Sequence, residues 1–291
     1  MKNAFSYVAS IIISVLLVFC IIGLEGAGIA KYCATEQQFK SISSKHGLAD
    51  KTYSEIEKYF RERSSATGIP EEVYTDAIDT DYISDVINQK IDNGFQRLSG
   101  GNASIELKNE ALEESIDKFF NDYAESINYQ KDEKFEQKLT ATKNSAYKII
   151  GEYSDVYKFS ALDSHGVLSK FSKIYTHIDL PMIGAASAIL ILLVTLLVLN
   201  LAVKSETVYW TGASALIAGI IGIAPCVYLL ATDYFSSFSI KQAQIYTAYT
   251  ETMKLFTNSF LYASIGIAAF GVLLIIVYAI IKPKNKAQAK A

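Results

Sequence analysis

The sequence is poor in the residues that build disulfide frameworks and zinc sites. Only three cysteines occur in 291 residues; Cys20 and Cys226 fall inside long apolar runs, and Cys33 lies just beyond the first run. No disulfide framework is expected, and a domain of this length can fold on a hydrophobic core instead. The histidines lack the paired spacing of zinc ligands. They are His46, His165 and His177.

Motifs for catalysis and nucleotide binding are also missing. No glycine-rich loop followed by Lys-Ser or Lys-Thr is present, which excludes a P-loop. Asp163-Ser164-His165 has the residue types of a catalytic triad, but adjacent side chains diverge, whereas a nucleophile needs its base to converge on it. A cluster of four aspartates lacks the glycine of a calcium loop and is expected on the solvated face of a helix. It comprises Asp76, Asp79, Asp81 and Asp85. We predict that the protein is not an enzyme and binds no metal or cofactor.

Charged residues are almost absent from four long apolar runs. The runs are 5–30, 180–203, 208–231 and 260–281. Each is long enough to cross a bilayer core of about 30 Å as a helix. The sequence therefore predicts an all-α membrane protein with four transmembrane helices. The polar region 31–179 is predicted to form a helical-bundle extracytoplasmic domain inserted between the first helix and the second.

Lysines at one set of run ends predict the orientation, because cytoplasmic loops carry an excess of Lys and Arg. We predict a cytoplasmic N-terminus at 1–4, a cytoplasmic loop at 204–207, a basic cytoplasmic tail at 282–291, and a partly helical extracytoplasmic loop at 232–259. The lysines are Lys2, Lys204, Lys282, Lys284, Lys286 and Lys290. The first run also has features of a cleaved signal peptide, although its length favours a retained anchor. Either interpretation leaves 31–179 outside.

The polar region has the spacing of helices, because its apolar residues recur at intervals of three and four and sustained alternation is absent. The expected helices are 50–63, 70–98, 104–127 and 135–165. Aromatic residues at helical spacing are expected in the core. A further helix over 240–256 is expected to extend the last span and to pack against this domain.

Charge and lysine content bear on partners and source. The segment 31–177 carries 19 Lys and Arg against 25 Asp and Glu, a net charge of −6, which argues against a nucleic-acid partner. Of the 27 basic residues in the chain, 24 are lysine, which is typical of AT-rich bacterial genomes. We therefore expect a bacterial plasma-membrane protein.

Small residues in the third and fourth runs predict where transmembrane helices pack, because helices in a bilayer associate through close backbone approach. The predicted packing residues are Ser214, Ala218, Gly222, Gly266 and Gly271. Pro225 is expected to bend the third helix. The second run is almost entirely aliphatic, so much of its surface is expected to face lipid.

Glu25 is the only acidic or basic residue within the four runs and the one candidate for an intramembrane polar site. An ionisable residue inside a bilayer is a functional candidate by default. The glycines Gly23, Gly26 and Gly28 beside it leave room for a small site. The competing interpretation, favoured by its position near the outer end of the run, is that the carboxylate reaches the headgroup region.

One span, a large outer domain and three further spans, with cytoplasmic termini, resemble the permeases of macrolide-exporter and cell-division ABC systems. The resemblance covers topology alone. Those permeases have cytoplasmic elements that engage an ATPase, whereas 1–4 and 204–207 are very short here. Claudins share the loop order, but their outer domain is β-rich with a tryptophan and a cysteine pair, whereas the sole tryptophan here is Trp210.

These observations favour a binding or scaffold protein of the bacterial cell envelope that recognises a partner through its helical domain. The expected partners are the lipid bilayer and either another protein or a second copy of the chain. One alternative is a transport-associated or channel-forming subunit in which Glu25, the small-residue faces and Pro225 shape a pathway. A second alternative is a sensor that needs a separate signalling partner, because 282–291 is too short for a catalytic module.

Overall fold

The computed structural model describes residues 2–282 apart from 103 and 202, and these residues form helices and no strands. The predicted tail therefore lies outside the described residues except for Lys282, and so does Met1. The helices are α1 (Lys2–Cys33), α2 (Glu36–Lys45), α3 (Leu48–Thr67), α4 (Glu72–Thr75), α5 (Thr80–Leu98), α6 (Glu110–Ser126), α7 (Glu133–Tyr153), α8 (Phe159–Ser164), α9 (Val167–Thr176), α10 (Asp179–Leu199), α11 (Ser205–Ala231) and α12 (Ala243–Ile281). A short 3-10 helix, Tyr234–Ser237, precedes α12.

The chain divides into two compact units. An apolar bundle consists of the described parts of Met1–Ala34, His177–Ser237 and Met253–Ala291, and a helical domain consists of Thr35–Thr176 and Phe238–Thr252. The long helix α12 contributes its first residues to the helical domain and the remainder to the apolar bundle.

Four helices of the apolar bundle are long and apolar enough to cross a membrane, as the sequence predicts. They are α1, α10, α11 and α12. The first of them packs along both α10 and α11. Small residues account for most of the buried positions of α11, whereas Leu196 is the one buried residue of α10. The aliphatic surface of α10 is therefore mostly uncovered by protein, as expected for a lipid-facing helix.

The helical domain is built around one aliphatic and aromatic core. Most of its fully buried side chains come from α3, α5, α6 and α7, and they include Leu48, Ile56, Ile87, Ile116 and Ile150. The spacing of these residues gives each helix one apolar face, and packing those faces together removes them from water. The predicted helical class of this region is confirmed.

The expected helix over 70–98 is interrupted. The chain forms α4, leaves helical geometry, and begins α5 at Thr80, where the Asp79 side chain accepts a hydrogen bond from the Tyr82 backbone N–H at 2.7 Å. An aspartate is a favoured N-cap because it satisfies a backbone donor that has no intrahelical partner. The prediction that the four aspartates share one solvated helix face was therefore wrong for Asp76, at the end of α4, and for Asp79.

Two other helix boundaries differ for the same kind of reason. The third helix begins at Glu110 and not near Ser104, because the Asn109 side chain caps it through the Leu112 backbone N–H. The fourth ends at Tyr153, and the chain then turns through Lys158, which has a left-handed φ of 54°. Helix α2, which the apolar spacing did not reveal, begins at the N-cap Thr35.

The expected helix over 240–256 is confirmed from Ala243 onward, where α12 begins, and Ile240 lies before it. Ala248 is fully buried in the core of the helical domain. The Tyr249 hydroxyl donates to the backbone carbonyl of Tyr157 at 2.9 Å, and Lys51 Nζ donates to Thr247 Oγ1 at the same distance. These contacts attach the first turns of α12 to the helical domain.

Candidate functional site

The Glu25 side chain is buried between helices of the apolar bundle. It is 8% exposed, and its Oε1 accepts a hydrogen bond from Ser264 Oγ of α12 at 2.5 Å. The bond joins residues 239 positions apart in the sequence. The carboxyl group is therefore directed into the bundle.

The position of Glu25 along α1 can be compared with that of an ion pair on the same helix. Lys31 Nζ lies 2.5 Å from Asp179 Oδ1 at the start of α10, and both side chains are more than half exposed. Because an α-helix rises about 1.5 Å per residue, Glu25 lies about 9 Å along α1 from Lys31. The geometry gives the Glu25 carboxyl group a partner, Ser264, inside the bundle. The interpretation that the carboxylate reaches the headgroup region stays a prediction.

Gly222 on α11 leaves the space that Ser264 occupies. A Cβ built on Gly222 would collide with Ser264 Oγ and would come within 3.0 Å of the Phe260 ring. Any larger residue would displace the hydroxyl that bonds to Glu25. The site is thus formed by Glu25 on α1 and Ser264 on α12, and Gly222 on α11 leaves room for the serine because it has no side chain.

The second carboxyl oxygen of Glu25 has no partner among the residues that the structure describes. Oε2 is buried without a hydrogen bond, and no Lys, Arg or His of the described chain pairs with the carboxyl group. A buried hydroxyl without a hydrogen bond costs about 1–3 kcal/mol in proteins. An isolated buried carboxylate costs several kcal/mol even after the protein relaxes. Oε2 is therefore an unpaired polar atom among the described residues of the bundle.

The predicted packing residues on α11 lie at helix contacts. Ser214 donates to the backbone carbonyl of Ser14 on α1 at 3.1 Å, and Ala218 is fully buried. On α12, Gly271 lies so close to α11 that a Cβ there would collide with the Leu216 backbone nitrogen. At Gly266, by contrast, a Cβ would meet nothing within 4 Å. The choice of Gly266 as a packing residue was therefore wrong.

Pro225 lies within α11 at an exposed position, and the helix continues to Ala231. Proline has no N–H, so the Ile221 carbonyl one residue before Gly222 lacks its usual helical donor. The thiol of Cys226, next along the helix, is buried and lies within electrostatic range of Glu25. The predicted bend at Pro225 stays a prediction.

A second polar cluster lies at the other end of α1. Asn200 is recognisable in the sequence as a polar residue near the inner boundary of its run, but its serine partners on α1 were not predicted. Asn200 at the end of α10 donates to Ser10 Oγ at 3.2 Å, and Ser6 Oγ donates to the Leu199 carbonyl at 3.0 Å. These bonds hold α1 against the turn that joins α10 to α11. Serine at four-residue spacing in an apolar run was the signal available in the sequence.

The helical domain contains an open groove with aromatic walls and a volume of about 900 Å³ between α6, α7 and the end of α3. Phe119 and Tyr123 stack with an angle of 12° between their ring planes, and Phe120 packs edge to face against Phe135. Tyr123 and Ile127 are 58% and 52% exposed along the groove. The aromatic residues of this domain were expected in its core, but Tyr123 instead forms an accessible apolar surface together with the aliphatic Ile127.

The three triad residue types do not form a triad. Ser164 Oγ lies 3.3 Å from His165 Nδ1, so these two adjacent side chains do not diverge as expected, but the Asp163 carboxylate does not orient the imidazole. The Asp163 carboxylate pairs with Arg97 Nη1 at 2.5 Å, and His165 Nδ1 lies 2.7 Å from the carbonyl of Ala161. Within the described part of the chain, no three His, Cys, Asp or Glu side chains are grouped to hold a metal ion.

Comparison of the chain with protein-family models, curated proteins and solved structures finds no match.

Proposed function

We propose that the protein is an integral membrane binding or scaffold protein of the bacterial cell envelope, with 31–179 outside the plasma membrane and both termini in the cytoplasm. The observation that carries the proposal is the aromatic groove of the helical domain. Contiguous exposed apolar surface rimmed by polar residues is typical of interaction sites. The lysines at 204, 282 and beyond support the orientation through the positive-inside rule.

The groove favours a protein partner of particular chemistry. Rigid aromatic side chains in a cleft accept an apolar stripe such as one face of an amphipathic helix. The helical domain as a whole is acidic, since 31–177 has a net charge of −6, whereas the charged residue that lines the groove is Lys138. A partner segment with apolar anchors flanked by Lys or Arg complements both properties.

Site-specific photo-crosslinking in native membranes tests the proposal. A photoreactive residue at Tyr123 in the groove is compared with one at Phe171 on α9, which is 56% exposed in the same domain and is not part of the groove lining. We expect a crosslinked partner at Tyr123 and none at Phe171. Crosslinks that join only copies of this chain would show that the groove binds a second copy and not another envelope protein. An absence of crosslinks at Tyr123 would contradict recognition through the groove.

Truncation of the exposed groove residues provides a quantitative test. Changing Tyr123 and Ile127 together to alanine removes apolar anchors that are already more than half exposed, so the domain core is little affected. Central anchors of interfaces are worth about 2 kcal/mol or more each, so recovery of the partner should fall at least tenfold. Phe171→Ala serves as the matched control and should leave recovery unchanged.

A transport-associated subunit is the second candidate, and the buried carboxyl of Glu25 is the observation that favours it. Intramembrane carboxyl groups mark ion and proton pathways in many transport proteins. In proteoliposomes that contain the full chain, Glu25→Gln should then reduce solute or ion flux. Equal flux through the wild-type protein, the variant and protein-free vesicles would remove this candidate.

A further inference from the structure

We infer that Glu25 and Ser264 form an intramembrane proton-binding site, in which the Glu25 carboxyl group holds one exchangeable proton while Ser264 donates to its Oε1. The site goes beyond recognition by the helical domain and does not depend on it. Proton transport would require the site, but the site alone does not establish transport.

The helices around Glu25 provide no charge that would keep it ionised. The runs 180–203, 208–231 and 260–281 contain no acidic or basic residue. On α11 the titratable group near Glu25 is the Cys226 thiol. On α12 the side chain that contacts Glu25 is the uncharged Ser264. On α1 and α10 the nearest charges are Lys31 and Asp179, which pair with each other. Protonation of Glu25 is thus the available means of neutralising it.

The donor set fits a proton and not a metal ion. Calcium takes six to eight oxygen ligands, and magnesium requires near-octahedral coordination. Glu25 and Ser264 supply three side-chain oxygens in total, and α1, α11 and α12 run through the site without a break that would release several carbonyls. A proton needs only one oxygen, and Oε2 is buried and has no hydrogen-bond partner among the described residues.

The burial of Glu25 results from the packing of three helices around its side chain. The carboxyl group is more than nine-tenths buried, and the Ser264 hydroxyl that meets it is fully buried. That hydroxyl occupies the space left by Gly222. Three helices therefore contribute to one polar position in an otherwise apolar environment, which a carboxylate reaching toward the surface would not need.

Infrared spectroscopy of the full chain in lipid vesicles tests the inference directly. The difference between wild-type protein and Glu25→Gln isolates one carboxyl group among many. We expect the carbonyl stretch of a protonated carboxylic acid at neutral pH, replaced by carboxylate bands at strongly alkaline pH. Only carboxylate bands at neutral pH would overturn the proposal, and so would a carboxylic acid band that never responds to pH.

The Ser264 contact has its own signature. Loss of a donated hydrogen bond strengthens the C=O bond, so Ser264→Ala should move the carbonyl band to higher wavenumber without removing it. Gly266→Ala is the matched control on the same helix, because a Cβ there meets no atom within 4 Å. If the carbonyl band does not move in Ser264→Ala, the hydroxyl does not bond to Glu25, which would contradict the proposed site.

Chemical modification separates a proton from a metal ion. Dicyclohexylcarbodiimide enters bilayers and reacts with protonated carboxyl groups: the acid proton moves to one nitrogen, the carboxyl oxygen bonds to the central carbon, and the acyl group then shifts to nitrogen to give a stable N-acylurea. No atom leaves and no oxidant is needed. Peptide mass analysis should locate the adduct at Glu25 and find none in Glu25→Gln. If sodium or calcium ions prevented the reaction at Glu25, the site would be assigned to that cation and the proton proposal would be overturned.

Discussion

Gly219 on α11 and Ala268 on α12 lie so close together that a Cβ on Gly219 would stand 2.6 Å from the Ala268 backbone nitrogen. The same Cβ would lie 2.6 Å from the Ser264 carbonyl oxygen. Both obstacles are backbone atoms, which cannot rotate away as a side chain can. The approach of α11 to α12, and with it the position of Ser264 against Glu25, therefore depends on glycine at position 219.

Gly219→Ala should destabilise the apolar bundle. Overpacking in a close contact costs about 1–3 kcal/mol because the backbone must shift. Thermal unfolding in detergent can be followed through Trp210, the sole tryptophan, whose ring lies 5.5 Å from that of Tyr7 on α1. A clear decrease in the midpoint temperature is expected.

Gly266→Ala makes the same chemical change on α12, but it should raise the stability of the apolar bundle slightly or leave it unchanged. No atom lies within 4 Å of the new methyl group. Alanine is favoured over glycine within a helix by about 1 kcal/mol. If both glycine variants lost equal stability, the cost would come from the helix backbone and not from the contact with α11.

The error at Gly266 has a geometric cause. Ser264 and Ala268 are four residues apart and face α11, whereas Gly266 is two residues from each and is rotated by about 200° from them. Small-residue composition identified α11 and α12 as packing helices, but it did not say which side of α12 faces its neighbour. The apolar runs and the helical class could be predicted because they depend on local sequence. Ser264 could not be matched to Glu25, because the pairing depends on how helices 239 residues apart are arranged.

Helix boundaries in the helical domain show a related limit. Apolar spacing continues through 76–79 and 154–158, so it predicted helices across both segments. Side chains of Asp79 and Asp155 end that continuity by bonding to backbone N–H groups of the following helix. N-cap residues are recognisable in sequence, but Asp and Asn also occur on solvated helix faces.

Asp155→Ala should destabilise α8 more than Asp132→Ala destabilises α7. Asp155 is 4% exposed and accepts from the backbone N–H groups of Phe159 and Ser160, each at 2.9 Å. Asp132 is exposed and accepts from Phe135 alone. The N-cap Asp132 contributes about 1 kcal/mol. Removing Asp155 leaves the buried donor of Phe159 and the partly buried donor of Ser160 unsatisfied, which costs about 1–3 kcal/mol for the buried one. Hydrogen exchange read from peptides of each helix measures the difference, and equal protection losses would contradict it.

The helical domain should lose stability at alkaline pH. Burial raises the pKa of Tyr74 and that of Tyr157 to about 12, whereas an unfolded tyrosine has a pKa of about 10. The folded state therefore binds more protons than the unfolded state between these values. Stability is fully present below about pH 10 and falls as the pH rises to about 12, by at most about 3 kcal/mol for each residue.

Tyr157→Phe should make that alkaline loss less steep, because the buried phenol no longer ionises on unfolding. Urea unfolding of the full chain at several pH values, followed by hydrogen exchange of α5 and α7, measures the slope. Tyr123→Phe removes a phenol from an exposed position and controls for the change of residue type. An unchanged slope in Tyr157→Phe would show that its hydroxyl is not buried in the folded domain.

Reaction of single cysteines with a membrane-impermeant maleimide should distinguish the two orientations. In a variant without Cys20, Cys33 and Cys226, a cysteine at Ser236 lies in the exposed 3-10 turn before α12, and one at Lys204 lies in the exposed turn between α10 and α11. The two turns are separated by α11, whose 27 residues span about 40 Å and exceed the thickness of a bilayer core. The positive-inside rule predicts labelling of intact cells at Ser236→Cys and not at Lys204→Cys, with both labelled once the membrane is opened. The reverse pattern would place the lysines outside and the helical domain in the cytoplasm.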